Sequence, residues 1–258
     1  MALSAPRSLP LLLLMLASLA ACGPLGDPAQ PIPTTTIAAP QKAERLVVVL
    51  PGRADDLAAL RDSGMVESIQ DAWPDADVVL AELAIRYYMD GQAPQQLHRE
   101  VIAPAQARGY REIWLAGASL GGMGTLLYDR AYPGEVDGLV LLAPYLGDRP
   151  ILREVMDAGG VADWDPGPPR QIDADNWQRE LWRHIHGWSR EPHRARNVWL
   201  AYGDRDRLRR AMPVLAPVLR DDQVLVRPGG HDWTVWSQAT GEILRRIAGE
   251  RGLLQTAP

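Results

Sequence analysis

A serine, a histidine and an aspartate stand where nucleophilic chemistry would need them. Ser119 lies within Gly117 to Gly121, which has the pattern G-x-S-x-G and joins an apolar run to a helix-compatible run. Between a strand and a helix, this pattern is typical of a sharp turn that exposes the serine hydroxyl. Because a hydroxyl is a weak nucleophile at its own pKa, Ser119 would need a base that removes its proton.

His231 is the candidate base among the five histidines of the chain. It follows the last apolar run and precedes the last helical pattern, directly after Gly229 and Gly230, which allow a tight turn. The His184 and His186 pair is a weaker candidate for metal binding, because two positions apart on a helix they face different ways. We therefore expect neither a metal nor a cofactor.

An acid that orients the histidine should follow the preceding apolar run, which ends at Tyr202. Gly203 to Arg207 offers two candidates, Asp206 and Asp204. We favour Asp206, which lies three positions after the glycine, and keep Asp204 as the alternative. Asp148, after an earlier run, is a more remote candidate.

The elements that would position these side chains alternate along the chain. Apolar runs typical of buried parallel strands alternate with helical patterns, which predicts a parallel sheet with helices on both faces. Functional residues in such sheets gather beyond the carboxyl ends of the strands. The six runs are Leu46–Leu50, Val78–Leu83, Ile113–Gly117, Val136–Ala143, Val198–Tyr202 and Val224–Val226.

A long interval, about residues 144–197, interrupts this alternation. It contains a predicted helix over residues 174–188 with Trp177, Trp182 and other apolar residues at helical spacing. We interpret the interval as a small cap over the active-site end of the sheet. Its tryptophans would either line an acyl pocket or pack the cap onto the body.

The order Ser119, Asp206, His231 and its setting resemble the α/β-hydrolase superfamily. The resemblance implies an α/β-hydrolase fold and a serine hydrolase that cleaves carboxylic esters, with a small-molecule ester or acyl compound as substrate. It implies an oxyanion hole formed by the main-chain N–H groups of Leu120 and Arg53. Two kinds of alternative remain open. The same residues could catalyse acyl transfer or cleave thioesters or amides, or the protein could be a non-catalytic envelope lipoprotein of the same fold.

The sequence departs from the family pattern at the start of the domain, and it has Pro51-Gly52 in the oxyanion loop where many family members have His-Gly. The usual first two antiparallel strands have no room before Glu44 if the preceding segment is a tether. We therefore expect a reduced, six-stranded, mostly parallel sheet within a hydrolase domain of residues 44–258.

The N-terminal residues have the pattern of an export signal. Arg7 precedes an apolar stretch from Leu9 to Ala21, and small residues lead to Cys22, the only cysteine. This resembles the lipobox of bacterial lipoproteins, which implies a signal peptide at residues 1–21 and a lipid on Cys22. Residues 22–43, rich in proline, would form a tether. By resemblance to lipoproteins of Gram-negative bacteria, Gly23 after the cysteine favours the outer membrane of the cell envelope.

Composition limits the remaining possibilities. A net charge of −5 and a pI near 5.6 argue against a nucleic-acid partner, which would require a basic face. About 215 residues remain after the signal and tether, which is enough for one hydrophobic core.

Overall fold

A seven-stranded sheet forms the centre of the molecule in the computed structural model, which describes residues 25–256, with side chains to residue 250. The strand order is β1-β3-β2-β4-β5-β6-β7. All neighbouring pairs are parallel except β1 with β3. The strands are β1 Thr34–Ile37, β2 Arg45–Leu50, β3 Ala76–Ala81, β4 Glu112–Ala118, β5 Gly138–Leu142, β6 Val198–Gly203 and β7 Val224–Arg227.

The six predicted strands are present, but the expected count of six is wrong because of β1. Thr34 to Ile37 pair antiparallel with residues 78–81 of β3 and so form an edge strand. Three threonines and an isoleucine suit a half-buried edge strand, and the flanking prolines confine it to four residues. The part of the predicted tether from Leu25 onward is therefore docked onto the domain.

Side-chain and main-chain hydrogen bonds hold this N-terminal segment in place. The main-chain N–H of Arg86 donates to the carbonyl of Leu25 at 3.0 Å. Glu100 accepts from the N–H of Ile32 at 2.7 Å, and the Ile32 side chain is buried in the core. These contacts place residue 25 close to the helix that follows β3.

Helices cover both faces of the sheet. The helix Leu120–Ala131 begins directly after the serine and corresponds to the helix-compatible run of the sequence. A π-helical turn, His98–Ile102, joins the helices Ala93–Leu97 and Ala103–Ala107. The α-helices are α1 Leu57–Arg61, α2 Met65–Ala72, α3 Ile85–Met89, α4 Ala93–Leu97, α5 Ala103–Ala107, α6 Leu120–Ala131, α7 Arg149–Asp157, α8 Trp177–Arg190, α9 Met212–Leu215 and α10 Trp233–Thr256.

The core is divided between these two faces. On one face, α2 and α10 pack against the sheet, with Trp73 and Trp114 in edge-to-face contact at 5.3 Å. On the other face lie α4 to α6 and the helices of residues 144–197. No helix among the described residues is both long and apolar enough to cross a membrane.

The helix α8 of the predicted cap packs onto the body. Trp182 and Trp188 are fully buried, and the Trp182 indole N–H donates to the carbonyl of Leu146 at 2.8 Å. His184 lies 2.7 Å from Asp129 of α6. Of the two roles considered for the tryptophans, the structure therefore places Trp182 and Trp188 in the core.

Candidate active site

Ser119 occupies the sharp turn between β4 and α6. Its backbone has φ 52° and ψ −108°, a conformation that non-glycine residues rarely adopt. The N–H of Ser119 donates to Leu142 of β5 at 2.8 Å, and its carbonyl accepts from Tyr145 at 2.9 Å. Bonds to the next strand and its loop therefore hold the strained residue in place.

The glycines at both ends of the motif are required by close backbone approach. A Cβ on Gly117 would collide with the carbonyl of Gly121. A Cβ on Gly121 would lie 2.5 Å from the carbonyl oxygen of Leu50 and 2.7 Å from that of Pro51. The start of α6 is therefore pressed against the end of β2, which brings Ser119 close to the loop that follows this strand.

His231 and Asp206 are joined by a short, buried contact. Nδ1 of His231 lies 2.8 Å from Oδ2 and 2.9 Å from Oδ1 of Asp206, which is fully buried. An ionised carboxylate can only accept, so Nδ1 carries the proton and Nε2 has the free lone pair. Nε2 is buried and has no hydrogen-bond partner within residues 25–256. Ser119 and His231 both lie in the described part of the chain, and no hydrogen bond joins Nε2 of the histidine to the serine.

The other two acidic candidates have different contacts. Asp204 accepts from the main-chain N–H of Gly229 at 2.9 Å and is exposed, so it ties the loop of Asp206 to the loop of His231. Asp148 directly precedes α7 and accepts from the Tyr145 hydroxyl at 2.5 Å. Burial, together with the Asp148 carboxylate, raises the pKa of Tyr145 to about 12, so this phenol keeps its proton.

The loop after β2, residues 51–54, carries the predicted second oxyanion donor, Arg53. A Cβ on Gly52 would lie 3.9 Å from the Cβ of Ser119, so this loop borders the serine. Within the described part of the chain, the main-chain N–H groups of Arg53 and Leu120 have no hydrogen-bond partner. Both predicted donors are thus free to bind a ligand oxygen.

Asp55 is a site residue that was not predicted. Its Oδ2 accepts from the main-chain N–H of Gly52 at 3.0 Å and from the indole N–H of Trp233 at 3.2 Å. Trp236, one turn further along α10, contacts the His231 ring edge-to-face at 4.7 Å. The local sequence around Asp55 does not indicate this role, because its partner Trp233 is remote in the sequence.

One cavity of about 670 Å³ contains Ser119 and His231, a size typical of small-molecule sites. None of the residues that line this cavity comes from the predicted cap, residues 144–197. The lining residues are Leu25, Gly52, Arg53, Ala54, Asp55, Ile85, Ser119, Arg207, His231, Asp232, Trp233 and Trp236.

Two further predictions concern metals and lipidation. Between Leu25 and Thr256, no group of three or more His, Cys, Asp or Glu side chains is placed to hold a metal ion. Cys22 and the predicted signal peptide lie outside the described residues.

Neither a protein-family model nor a curated protein matches this sequence. Solved structures do match. The fluorophosphonate-binding serine hydrolase F of Staphylococcus aureus has a TM-score of 0.56 at 12% identity, covering 84% of this chain and 99% of its own. Est1E from Butyrivibrio proteoclasticus has a TM-score of 0.55 at 16% identity, covering 84% and 93%. A monoacylglycerol lipase from Paleococcus ferrophilus has a TM-score of 0.53 at 14% identity, covering 84% and 99%.

At these identities the similarity establishes the fold and not the activity. The chain has the α/β-hydrolase fold, with a mostly parallel mixed sheet covered by helices on both faces.

Proposed function

We propose that this protein is a serine hydrolase that cleaves carboxylic esters, with Ser119, His231 and Asp206 as catalytic residues. One observation carries the proposal. Buried Asp206 holds His231 so that Nε2 is unpartnered, and His231 lines the same cavity as the strained Ser119. The names of structural neighbours, which include an esterase, a lipase and a fluorophosphonate-binding serine hydrolase, support the same class of reaction.

The reaction would proceed through an acyl-enzyme. Nε2 of His231 takes the Ser119 proton as Oγ attacks the ester carbonyl, and the resulting imidazolium is stabilised by Asp206. Collapse of the tetrahedral intermediate breaks the ester C–O bond, and His231 returns the proton to the leaving alcohol. Water, deprotonated by His231, then attacks the acyl group and releases the carboxylic acid and the free serine.

Two main-chain donors would stabilise the developing negative charge. Leu120 follows Ser119 directly at the start of α6, and Arg53 follows Gly52 in the loop that borders the serine. An oxyanion hole requires such preorganised donors, and removing one typically costs about 10²–10³ in turnover.

Membrane attachment is a further part of the proposal. The apolar stretch Leu9–Ala21, followed by small residues and Cys22, supports export and lipidation at Cys22 in the bacterial cell envelope. A protein anchored by several acyl chains stays on the membrane, because each buried CH₂ contributes about 0.8 kcal/mol. Gly23 after the cysteine favours the outer membrane as its location.

The test uses p-nitrophenyl esters from acetate to palmitate with the chain from residue 22, carrying Cys22→Ser so that no lipid is attached. We expect turnover in this protein, and loss of turnover to background in Ser119→Ala. An active-site fluorophosphonate should label the first protein and leave the Ser119→Ala variant unlabelled. A thioester and an amide substrate measured in parallel would distinguish esterase activity from the related cleavages.

Two outcomes would contradict the proposal. Turnover that persists in Ser119→Ala would remove Ser119 as the nucleophile. Absence of both turnover and labelling in the folded protein would favour a non-catalytic envelope protein.

A further inference from the structure

An exposed apolar surface borders the mouth of the cavity. Leu25 and Ile85 line the cavity, and Leu25 is 47% exposed. Met89, 76% exposed, lies four residues after Ile85 on α3 and therefore on the same face of this helix. The hydrogen bond from Arg86 to the Leu25 carbonyl joins the two segments. We call Leu25, Ile85 and Met89 the apolar rim.

The chain upstream of the rim limits how far this surface can lie from a membrane anchor. Cys22 precedes Leu25 by three residues, so their Cα atoms are at most about 11 Å apart. The apolar stretch Leu9–Ala21 comes directly before Cys22. Whether a lipid on Cys22 or this stretch enters the bilayer, the rim is held near the membrane surface. A long tether would have left the orientation free, but the segment from Leu25 onward is docked.

The charged groups of the cavity also fit a phospholipid surface. Arg53 and Arg207 line the cavity and are exposed, and neither has an ion-pair or hydrogen-bond partner for its guanidinium among residues 25–256. Guanidinium groups bind phosphate oxygens in a bidentate manner. The acidic lining residues are engaged, because Asp55 accepts from Gly52 and Trp233, and Asp232 accepts from Val235.

We propose that the apolar rim rests on a phospholipid bilayer, with Arg53 and Arg207 at the depth of the lipid phosphates. Exposed Asp90, next to Met89, limits the contact to the headgroup region. The cavity then opens toward the lipid phase, and the substrate is an amphiphilic ester presented by the membrane. The surface contact stands independently, whereas the substrate class rests on the proposed hydrolase function.

The surface is tested by vesicle binding of the unlipidated protein, Cys22→Ser from residue 22. Vesicles of phosphatidylethanolamine and phosphatidylglycerol are sedimented, and bound protein is measured against lipid concentration. We expect the double variant Leu25→Glu, Met89→Glu to reduce the partition coefficient by about tenfold, because charged side chains disfavour burial in the interface. Met156→Glu on α7 is the matched control, since Met156 is 56% exposed and outside the cavity lining.

Met89→Glu alone keeps the test valid if the double variant unfolds, because Met89 is the more exposed of the two. Equal binding by the double variant and Met156→Glu, or absence of vesicle binding by the parent protein, would overturn the proposal. Ser119→Ala should bind vesicles like its parent, so this measurement does not depend on catalysis.

The substrate class is tested by a ratio of activities. Turnover of a long-chain ester in the same vesicles is divided by turnover of soluble p-nitrophenyl acetate for each variant. We expect this ratio to fall about tenfold in Met89→Glu and to stay at the parent value in Met156→Glu. An unchanged ratio in Met89→Glu overturns the lipid-phase substrate, while intact acetate turnover and fluorophosphonate labelling would leave the proposed function standing.

Discussion

Trp233 donates its indole N–H to Asp55 at 3.2 Å, across a sequence separation of 178 residues. The same carboxylate oxygen accepts from the N–H of Gly52 at 3.0 Å. One acidic side chain therefore joins the start of α10, two residues after His231, to the loop that contains Arg53. The candidate base and the candidate oxyanion donor are positioned relative to each other by this bridge.

Asp55→Ala should lower kcat by about 10- to 100-fold with a smaller change in KM. Losing an oxyanion donor entirely costs about 10²–10³, and freeing its loop should cost less than that. Steady-state kinetics on a p-nitrophenyl ester check this. Asp56→Ala is the control, because the Asp56 side chain only caps α1 by accepting from the N–H of Ala59. Loss of this cap should lower stability by about 1 kcal/mol. Equal kcat in the two variants would argue against a positioning role for Asp55.

Asp206→Asn should reduce kcat by about 10⁴, because the amide would present an N–H to Nδ1 and favour the wrong histidine tautomer. The fold should persist, since the asparagine oxygen can still accept from the N–H of Leu208, which donates to Asp206 at 2.7 Å. Asp204→Asn keeps an acceptor for Gly229 and should stay within a few-fold of the parent kcat. A larger loss in Asp204→Asn than in Asp206→Asn would reverse the assignment of the acid.

Gly121→Ala should destabilise the protein by about 1–3 kcal/mol and reduce esterase activity, because its Cβ would press against the Leu50 and Pro51 carbonyls. Thermal unfolding and ester turnover measure the two effects. Gly249→Ala in α10 is the matched control: its Cβ would meet nothing within 4 Å, so helix propensity should stabilise it by up to about 1 kcal/mol. If both variants unfolded at the same temperature, the close approach at Gly121 would be tolerated.

The sequence predicted those parts of the fold and site that follow from local pattern. The six parallel strands were recognisable because runs such as Val47 to Leu50 are apolar on both faces. Ser119 and His231 were predicted as site residues because each stands in a glycine-flanked turn between a strand and a helix, and both line one cavity. Asp206 was favoured over Asp204 as the partner of His231 on spacing alone. In the structure the Asp206 carboxylate contacts the imidazole of His231.

The parts that sequence could not predict depend on contacts between remote segments. Strand β1 has only four residues and lies among prolines, and it is stabilised by pairing with β3. The apolar residues at helical spacing on α8, which include Trp177 and Trp182, have the same spacing whether they line a pocket or pack in a core, so periodicity could not decide between these two roles. Asp55 gave no local signal, since the sequence does not show that Trp233 donates to it.

The ion-pair cluster around Glu180 on α8 should set part of the acid stability. Glu180 is 1% exposed and accepts from Arg183 at 3.1 Å and from Arg130 at 3.4 Å. Burial alone would raise the pKa of Glu180, but the hydrogen bond and charge of Arg183 outweigh it and hold the pKa below its ordinary value. A lowered pKa in the folded state means that the stabilisation is present at neutral pH. It is lost as the pH falls below the ordinary pKa of a glutamate and through the lower folded-state pKa of Glu180.

Glu180→Gln should therefore lower the free energy of unfolding by about 2 kcal/mol at pH 7, because it leaves the half-buried guanidinium groups of Arg130 and Arg183 without their buried anionic partner. Urea unfolding at pH 7 and pH 3 should show that the difference from the parent protein shrinks in acid. Glu154→Gln is the control, since Glu154 also pairs with an arginine, Arg179, but is 43% exposed and should cost at most about 1 kcal/mol. A difference that is equally large at both pH values would show that ionised Glu180 is not its source, and that packing or hydrogen bonding holds α8 against α6.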